Sequence, residues 1–177
     1  MTILFFIAFI LLLSASLFII IPTIYAGIIG APLVLTPKNA IREALRKIGA
    51  KKGEKLYELG AGTGRTLLIA DKEFGLDTIG FELSPIVYWF AKLNLFFSSA
   101  KKSKIYRRNA YNQNLQDANI VFCFLSTDPM ERLKSKFLEE LRPGTRIVSY
   151  AFSIKGWKPE EIISDFPPGK VFLYKIK

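Results

Sequence analysis

Tyr57-Glu58-Leu59-Gly60-Ala61-Gly62-Thr63-Gly64-Arg65 follows a short apolar run and precedes the helix-like stretch Thr66-Leu67-Leu68-Ile69-Ala70, so it reads as strand, glycine turn, helix. Glycines in such a turn accept positive φ and leave the backbone bare for a ligand, while the first amides of the next helix point at whatever lies there. The stretch is a cofactor cradle. Its Gly-x-Gly-x-Gly spacing differs from the Gly-x-Gly-x-x-Gly of nicotinamide enzymes, and no Gly-Lys-Ser/Thr follows to make a phosphate loop. Glu82 closes the next apolar run, Thr78-Ile79-Gly80-Phe81, twenty-two residues after Gly60. A carboxylate ending the second strand of a doubly wound sheet is placed to hydrogen-bond ribose hydroxyls.

From Lys55 onward, apolar runs alternate with helical patterns. The runs are 56–59, 78–83, 105–110, 120–125, 147–152 and 171–176, and the helices fall near 65–74, 85–97, 129–141 and 159–164. This order predicts an α/β domain with a doubly wound, mostly parallel sheet of about six strands and helices on both faces. Prolines mark the helix starts at Thr36-Pro37, Ser84-Pro85 and Asp128-Pro129, and Glu131, three residues after Asp128, predicts a capping box. Tyr88, Trp89, Phe90, Phe96 and Phe97 read as packing or linker-facing residues rather than a substrate cage.

Upstream of the domain the composition changes. Met1 to Pro37 holds no charged residue, so all 25 basic and 15 acidic side chains lie beyond it. Residues 2–21 are apolar or small throughout, and about 20 helical residues cross a bilayer's hydrocarbon core, so a transmembrane helix is expected. A buried core helix is a poor alternative, because so small a domain cannot enclose a segment that is apolar all round. A cleaved signal peptide is a further alternative, but no basic residue precedes the apolar run and no convincing small-x-small cleavage site is present. Pro22 would bend the helix, and 23–35 continues as an apolar extension. The expected organisation is 1–35 as span and extension, 36–52 as an amphipathic basic linker helix, and 53–177 as the folded domain. Ala40, Ile41, Ala44, Leu45 and Ile48 supply the helical spacing of the linker.

The net charge of +10 divides into two clusters. Lys38, Arg42, Arg46, Lys47, Lys51 and Lys52 stand against Glu43 alone, and Lys101, Lys102, Lys104, Arg107 and Arg108 stand against no acid; the remaining charges balance. By the positive-inside rule the first cluster puts the domain on the cytosolic face and the N-terminus outside. Each such cation near an anionic lipid surface adds on the order of 1 kcal/mol, which makes the lipid bilayer an expected partner. A solvated helix face accounts for the same charges. The second cluster, interleaved with Tyr106 and Tyr111, could grip RNA, but phospholipid headgroups explain it equally, so nucleic acid is the lesser reading.

The chain has no histidine and one cysteine, Cys123. That excludes Ser-His-Asp and Cys-His mechanisms, an intrachain disulfide and the usual catalytic zinc sites, and no metal is expected. Cys123 sits in an apolar run and is expected as a buried thiol. Chemistry is left to carboxylates, hydroxyls, backbone amides and a cofactor.

Taken together, the glycine turn, Glu82 and the strand-helix order resemble the class I S-adenosylmethionine-dependent methyltransferases, whose sheet is Rossmann-like. The resemblance implies S-adenosyl-L-methionine as cofactor. Glu58 would meet its ammonium, Gly60, Ala61, Gly62, Thr63 and Gly64 would admit its methionine and ribose portions, and Glu82 with Leu83 would bind the ribose. Asn109, with Ala110, stands where the family usually has an Asp contacting adenine. Local alternatives exist for each: a lysine partner for Glu58, a solvated strand end for Glu82, an ordinary turn for the glycines. Leu125-Ser126-Thr127-Asp128-Pro129 occupies the switch-point loop and lacks the Asn/Asp-Pro-Pro-Tyr/Phe motif of enzymes that methylate amide or base nitrogens. Asp128 is the catalytic candidate, able to orient or take a proton from a lysine amine; it could equally do no more than cap a helix.

The likeness extends to flanking pieces. The apolar start, Gly30-Ala31-Pro32, Thr36-Pro37, Phe81-Glu82-Leu83-Ser84-Pro85, the stretch Glu140 to Ser149 and Trp157 resemble the small membrane-anchored lysine methyltransferases, whose mitochondrial members modify the ATP synthase c subunit or the adenine nucleotide translocase. Tyr150-Ala151 departs from the polar or acidic residues of those relatives. This resemblance implies a lysine of a membrane-associated protein as acceptor. A lipid or quinone-like small molecule, and a non-catalytic scaffold, are the rival readings.

Overall fold

The computed structural model describes residues 2–28, 35–167 and 169–177. Along them run α1 Thr2–Ile28, α2 Lys38–Lys47, β1 Lys55–Leu59, α3 Arg65–Phe74, β2 Asp77–Phe81, α4 Pro85–Phe97, β3 Ser103–Tyr106, β4 Ile120–Cys123, α5 Thr127–Glu140, β5 Arg146–Tyr150, β6 Glu161–Phe166 and β7 Gly169–Lys175, with a 3-10 turn over Ala110–Asn112. The strands form one seven-stranded sheet in the order β3-β2-β1-β4-β5-β7-β6. β1 to β5 pair in parallel, and β7 lies antiparallel between β5 and β6.

Strand alternation sends side chains to two cores. Leu56, Ile120, Phe122, Val148 and Leu173 pack on one face with α2 and α3. Tyr57, Leu59, Val121, Cys123 and Ile147 pack on the other with Met130, Leu133 and Phe137 of α5. Strands covered on both sides read as near-continuous apolar runs, which is why the inner ones were legible. Cys123 is a buried free thiol, as expected. The chain builds outward from β1 through β2 to β3, then returns to place β4 on the other side of β1. That reversal opens a crevice beyond the carboxyl ends of β1 and β4.

α2 belongs to this core as well as linking to it. Ala40, Ile41, Ala44 and Leu45 are fully buried, and sealing Ile41 and Leu45 contributes about 1.5–3 kcal/mol each. Its polar side explains part of the first basic cluster without lipid. Arg42 pairs with Glu73 at 2.6 Å, Lys47 with Glu161 at 2.8 Å, and Arg46 with Glu43 at 3.7 Å.

Four expectations are corrected. Residues 159–164 are not a helix: Glu161–Phe166 is an edge strand that hairpins onto β7, with Ile163 buried opposite Val171 while Ile162 faces out. Two adjacent β-branched residues and the period-2 burial favour the strand. The third strand ends at Tyr106, so Asn109 caps the 3-10 turn instead of closing a strand. The residue flanking α2 is Pro37, not Thr36, and α5 is capped at Ser126, which leaves Asp128 in the first turn. No capping box forms there, and Glu131 keeps a buried oxygen without a partner. Of the aromatic residues of α4, Trp89, Phe90, Phe96 and Phe97 are exposed instead of packed, and Tyr88 is half-buried.

α1 is a helix of 27 residues without a charge, and its described side chains are exposed throughout. Among the described residues, no helix is long and apolar enough to cross a membrane. The membrane crossing expected of 2–21 is therefore not established by the fold, and Gly30-Ala31-Pro32 lies outside the described residues.

Candidate active site

The glycine turn leaves β1 at Leu59 and enters α3 at Arg65, and Gly60, Gly62 and Gly64 all adopt positive φ. At Gly60 and Gly64 space is short as well: a Cβ would lie 3.2 Å from Leu125 and 2.6 Å from Leu95. The turn is stitched to the end of β2. Gly60 and Ala61 donate their amides to Phe81 O at 3.0 and 2.9 Å, and Asn94 of α4 donates to Thr63 O at 3.1 Å.

Glu82 joins the two loops. Its Oε2 accepts the Gly62 amide at 3.0 Å, and its Oε1 accepts the Ser84 amide at 2.8 Å. The carboxylate is held on the side of the turn facing the crevice, and each oxygen keeps a further lone pair. Burial raises its pKa, against those backbone amides, which lower it.

Glu58 is the unusual group. It sits in β1 with 6% of its surface exposed, and its Oε2 has no hydrogen-bond partner. Desolvation pushes its pKa up to about 8; the nearby Glu82 charge adds to the rise, while the Thr66 hydroxyl and Leu67 amide oppose it. A buried acid with an orphan oxygen is costly unless a cation or donor meets it, so the site is shaped for a ligand carrying positive charge beside the turn. Among the described residues no lysine pairs with Glu58, in contrast to the local alternative raised by the sequence.

These residues line one cavity. Glu58, the turn from Gly60 to Thr63, Phe81 to Ser84, and Asn109 with Ala110 all reach it, so nine of the ten sequence-derived cofactor residues border the same space. Gly64 is the exception: it caps α3 beneath the turn and packs against α4. Asn109 uses its side-chain oxygen to accept the Tyr111 amide at 3.0 Å. Its side-chain amide group is the part left to face a purine edge. Asp128 is exposed and does not border the cavity, although Pro129 beside it does.

Sequence reasoning missed several lining residues. Ser84 was read only as a cap, yet its hydroxyl is buried without a partner beside Glu82. Arg65 lines the cavity and donates to Thr36 O at 3.1 Å, fastening the segment before α2 to the rim. Arg108 and Tyr111 border it too, from the loop after β3. The arginines were hidden inside charge counts, and Ser84 inside a capping motif. Among the described residues no acid, cysteine and histidine cluster could hold a metal ion.

The cavity fits a sulfonium nucleotide on the chain's own terms. Glu58 lacks a cation, bare glycine backbone lies between it and Glu82, and Glu82 offers acceptors at the far side. Known proteins agree. A family model described as the ANTKMT methyltransferase domain matches residues 58–161. The chain is 34% identical over 134 residues to a protein-lysine N-methyltransferase of Saccharolobus islandicus (strain REY15A), covering 75% of this chain and 83% of that protein. It is 27% identical over 135 residues to the adenine nucleotide translocase lysine N-methyltransferase of Mus musculus, covering 76% of this chain but only 58% of that protein. A crystal structure of an RNA methyltransferase from Salinibacter ruber with S-adenosyl-L-homocysteine superposes with a TM-score of 0.77 at 26% identity, covering 81% of this chain and 94% of that one. The chain therefore belongs to the ANTKMT methyltransferase domain family, with the Rossmann-like fold of that enzyme class and S-adenosyl-L-methionine as its methyl donor.

Proposed function

We propose that this protein is a membrane-anchored methyltransferase that modifies a lysine side chain of a membrane-associated protein. The observation that carries the acceptor class is the 34% identity to a protein-lysine N-methyltransferase across most of both chains. The membrane setting draws on the uncharged 27-residue α1 and on a mouse relative named for a translocase. In this reading residues 2–28 hold the domain at the cytosolic surface with the N-terminus outside, and a substrate confined to the same bilayer meets the site at raised effective concentration.

When bound, the donor supplies a methyl group on a sulfonium sulfur. The chain would hold and aim it: Glu58 would meet its ammonium and Glu82 its ribose hydroxyls, with Asn109 and Ala110 at its adenine, and Phe124, Leu125 and Leu133 add apolar lining to the cavity. A lysine amine attacks only after losing its proton. Asp128, exposed on the first turn of α5 next to the lining Pro129, is proposed to receive that proton and so free the nitrogen lone pair before it takes the methyl group.

Labelling membranes with isotopic S-adenosylmethionine, with the Glu82→Ala variant as control, tests this. Label on a lysine of a membrane-associated protein is expected. Label confined to extractable lipid, or to RNA as for the Salinibacter RNA methyltransferase, contradicts it. Protease accessibility in oriented vesicles tests the sidedness.

A further inference from the structure

α4 presents an apolar face that none of the described residues covers. Ala91 and Leu95 are its buried positions, and they turn inward. On the opposite side, at helical spacing, Trp89, Phe90, Leu93, Phe96 and Phe97 are 57%, 59%, 49%, 78% and 77% exposed. Six apolar positions, these five and Ile86, fall within roughly a third of the helix circumference at about 100° per residue. Large exposed aromatic clusters of this kind mark interaction surfaces.

The surrounding charge selects the occupant. Between Leu83 and Gln116 there are six cations, Lys92, Lys101, Lys102, Lys104, Arg107 and Arg108, and no acid. Lys101 and Lys102 follow the carboxyl end of α4, where Lys102 pairs with Asp77 at 3.4 Å and Lys101 makes no ion pair among the described residues, whereas Arg107 and Arg108 follow β3 towards the cavity end. At its margin Lys92 Nζ lies 5.1 Å from the centre of the Trp89 ring and 5.8 Å from that of Tyr88. Aromatic rings with lysines at their border are suited to the headgroup level of a bilayer, where the rings enter the acyl boundary and the amines stay with phosphates. A second copy docking on the same face would oppose cation to cation.

We infer that the exposed face of α4 lies on an anionic lipid surface, as a contact separate from α1 that fixes the orientation of the domain. The inference rests on the membrane setting proposed above but names a different surface. Leu83 and Val87, at the start of the α4 region, line the donor cavity, so this contact sets its mouth close to the headgroup plane. A lysine emerging at the membrane surface is then presented to the site, while one far from the bilayer is not.

The test uses the full chain in vesicles of phosphatidylcholine and phosphatidylglycerol, three parts to one, with brominated acyl chains. Trp157→Phe leaves Trp89 as the sole tryptophan. Sedimentation with vesicles reports the anchor, and quenching of Trp89 by bromine reports the face. The inference expects quenching, and expects it to fall about twofold when the anionic lipid is omitted or when Phe96→Ser and Phe97→Ser are combined, with circular dichroism unchanged. A chain that pellets with Trp89 unquenched overturns the inference and leaves the anchor standing. A chain that stays in the supernatant overturns both. Quenching indifferent to lipid charge and to the phenylalanines overturns the inference as well.

Discussion

Replacing Glu58 with Gln isolates the group on which donor binding turns. Burial raises this carboxyl to about 8 from the ordinary 4.5. At about 1.4 kcal/mol per tenfold change, that is a preference for the neutral acid of up to roughly 5 kcal/mol. The sign follows directly. Between about 4.5 and about 8 the folded chain keeps a proton that the unfolded chain has lost, so stability falls as pH rises through that window and levels off above it. Glu58→Gln removes the titration, so the variant gains stability relative to the parent as pH rises. Donor binding behaves oppositely. A cationic ligand needs the ionised carboxylate, of which about one tenth is present at pH 7, so parent affinity should climb close to tenfold per pH unit between about pH 6 and 7.5, below the range where the donor's own ammonium titrates. Glu58→Gln should bind roughly 10- to 100-fold more weakly and show a flat profile, having lost a charge-assisted hydrogen bond of about 1.5–3 kcal/mol. Calorimetry in buffers of different ionisation enthalpy measures this. Close to one proton should leave the parent on binding near pH 7 and none should leave the variant. Parent affinity independent of pH, with no proton released, would refute the reasoning.

Other perturbations give independent readings. Glu82→Ala removes the acceptor that the Gly62 and Ser84 amides share, and is expected to lower donor affinity at least about 100-fold in the same titration while the domain stays folded. Gly80→Ala places a Cβ 2.7 Å from both the Ala61 Cβ and Leu67 Cδ1, so thermal denaturation should show a loss of about 1–3 kcal/mol, and donor affinity should fall with the displaced turn. Asp128→Asn is expected to slow single-turnover methyl transfer while leaving donor affinity unchanged and stability within about 0.5 kcal/mol, since it is not the cap of α5; an unchanged rate removes it from the mechanism. Ala151→Gly relieves a left-handed alanine at φ 68° and should raise stability by about 0.5–1 kcal/mol in denaturant titration.

The parts of the fold that could be read from the chain are those whose local chemistry agrees with their packing. The turn from Gly60 to Gly64 must be glycine-rich because positive φ and short clearances coincide there, and α4 was bounded correctly by Pro85 and the last apolar turn. β6 was not legible, since its partner β7 follows only after the turn and a short mixed stretch carries no decisive period. Charge was legible only in part for a related reason. A count along the sequence cannot know that Arg42 and Lys47 fold onto Glu73 and Glu161. The aromatic residues of α4 were assigned to packing or to facing the linker because aromatic residues usually bury, and only the fold reveals that Trp89, Phe90, Phe96 and Phe97 are exposed. At the site, residue types marked Glu58 and Glu82, but the orphan Ser84 hydroxyl and the rim arginines depend on loop paths that no motif specifies.

The central claim is that the donor lies across the glycine turn between two glutamates. A crystal structure of the chain with S-adenosyl-L-homocysteine measures it most directly. The account predicts the ligand's ammonium within hydrogen-bonding distance of Glu58 Oε2 and its ribose hydroxyls on Glu82. A ligand seated elsewhere, or one that leaves Glu58 still unpartnered, would contradict it.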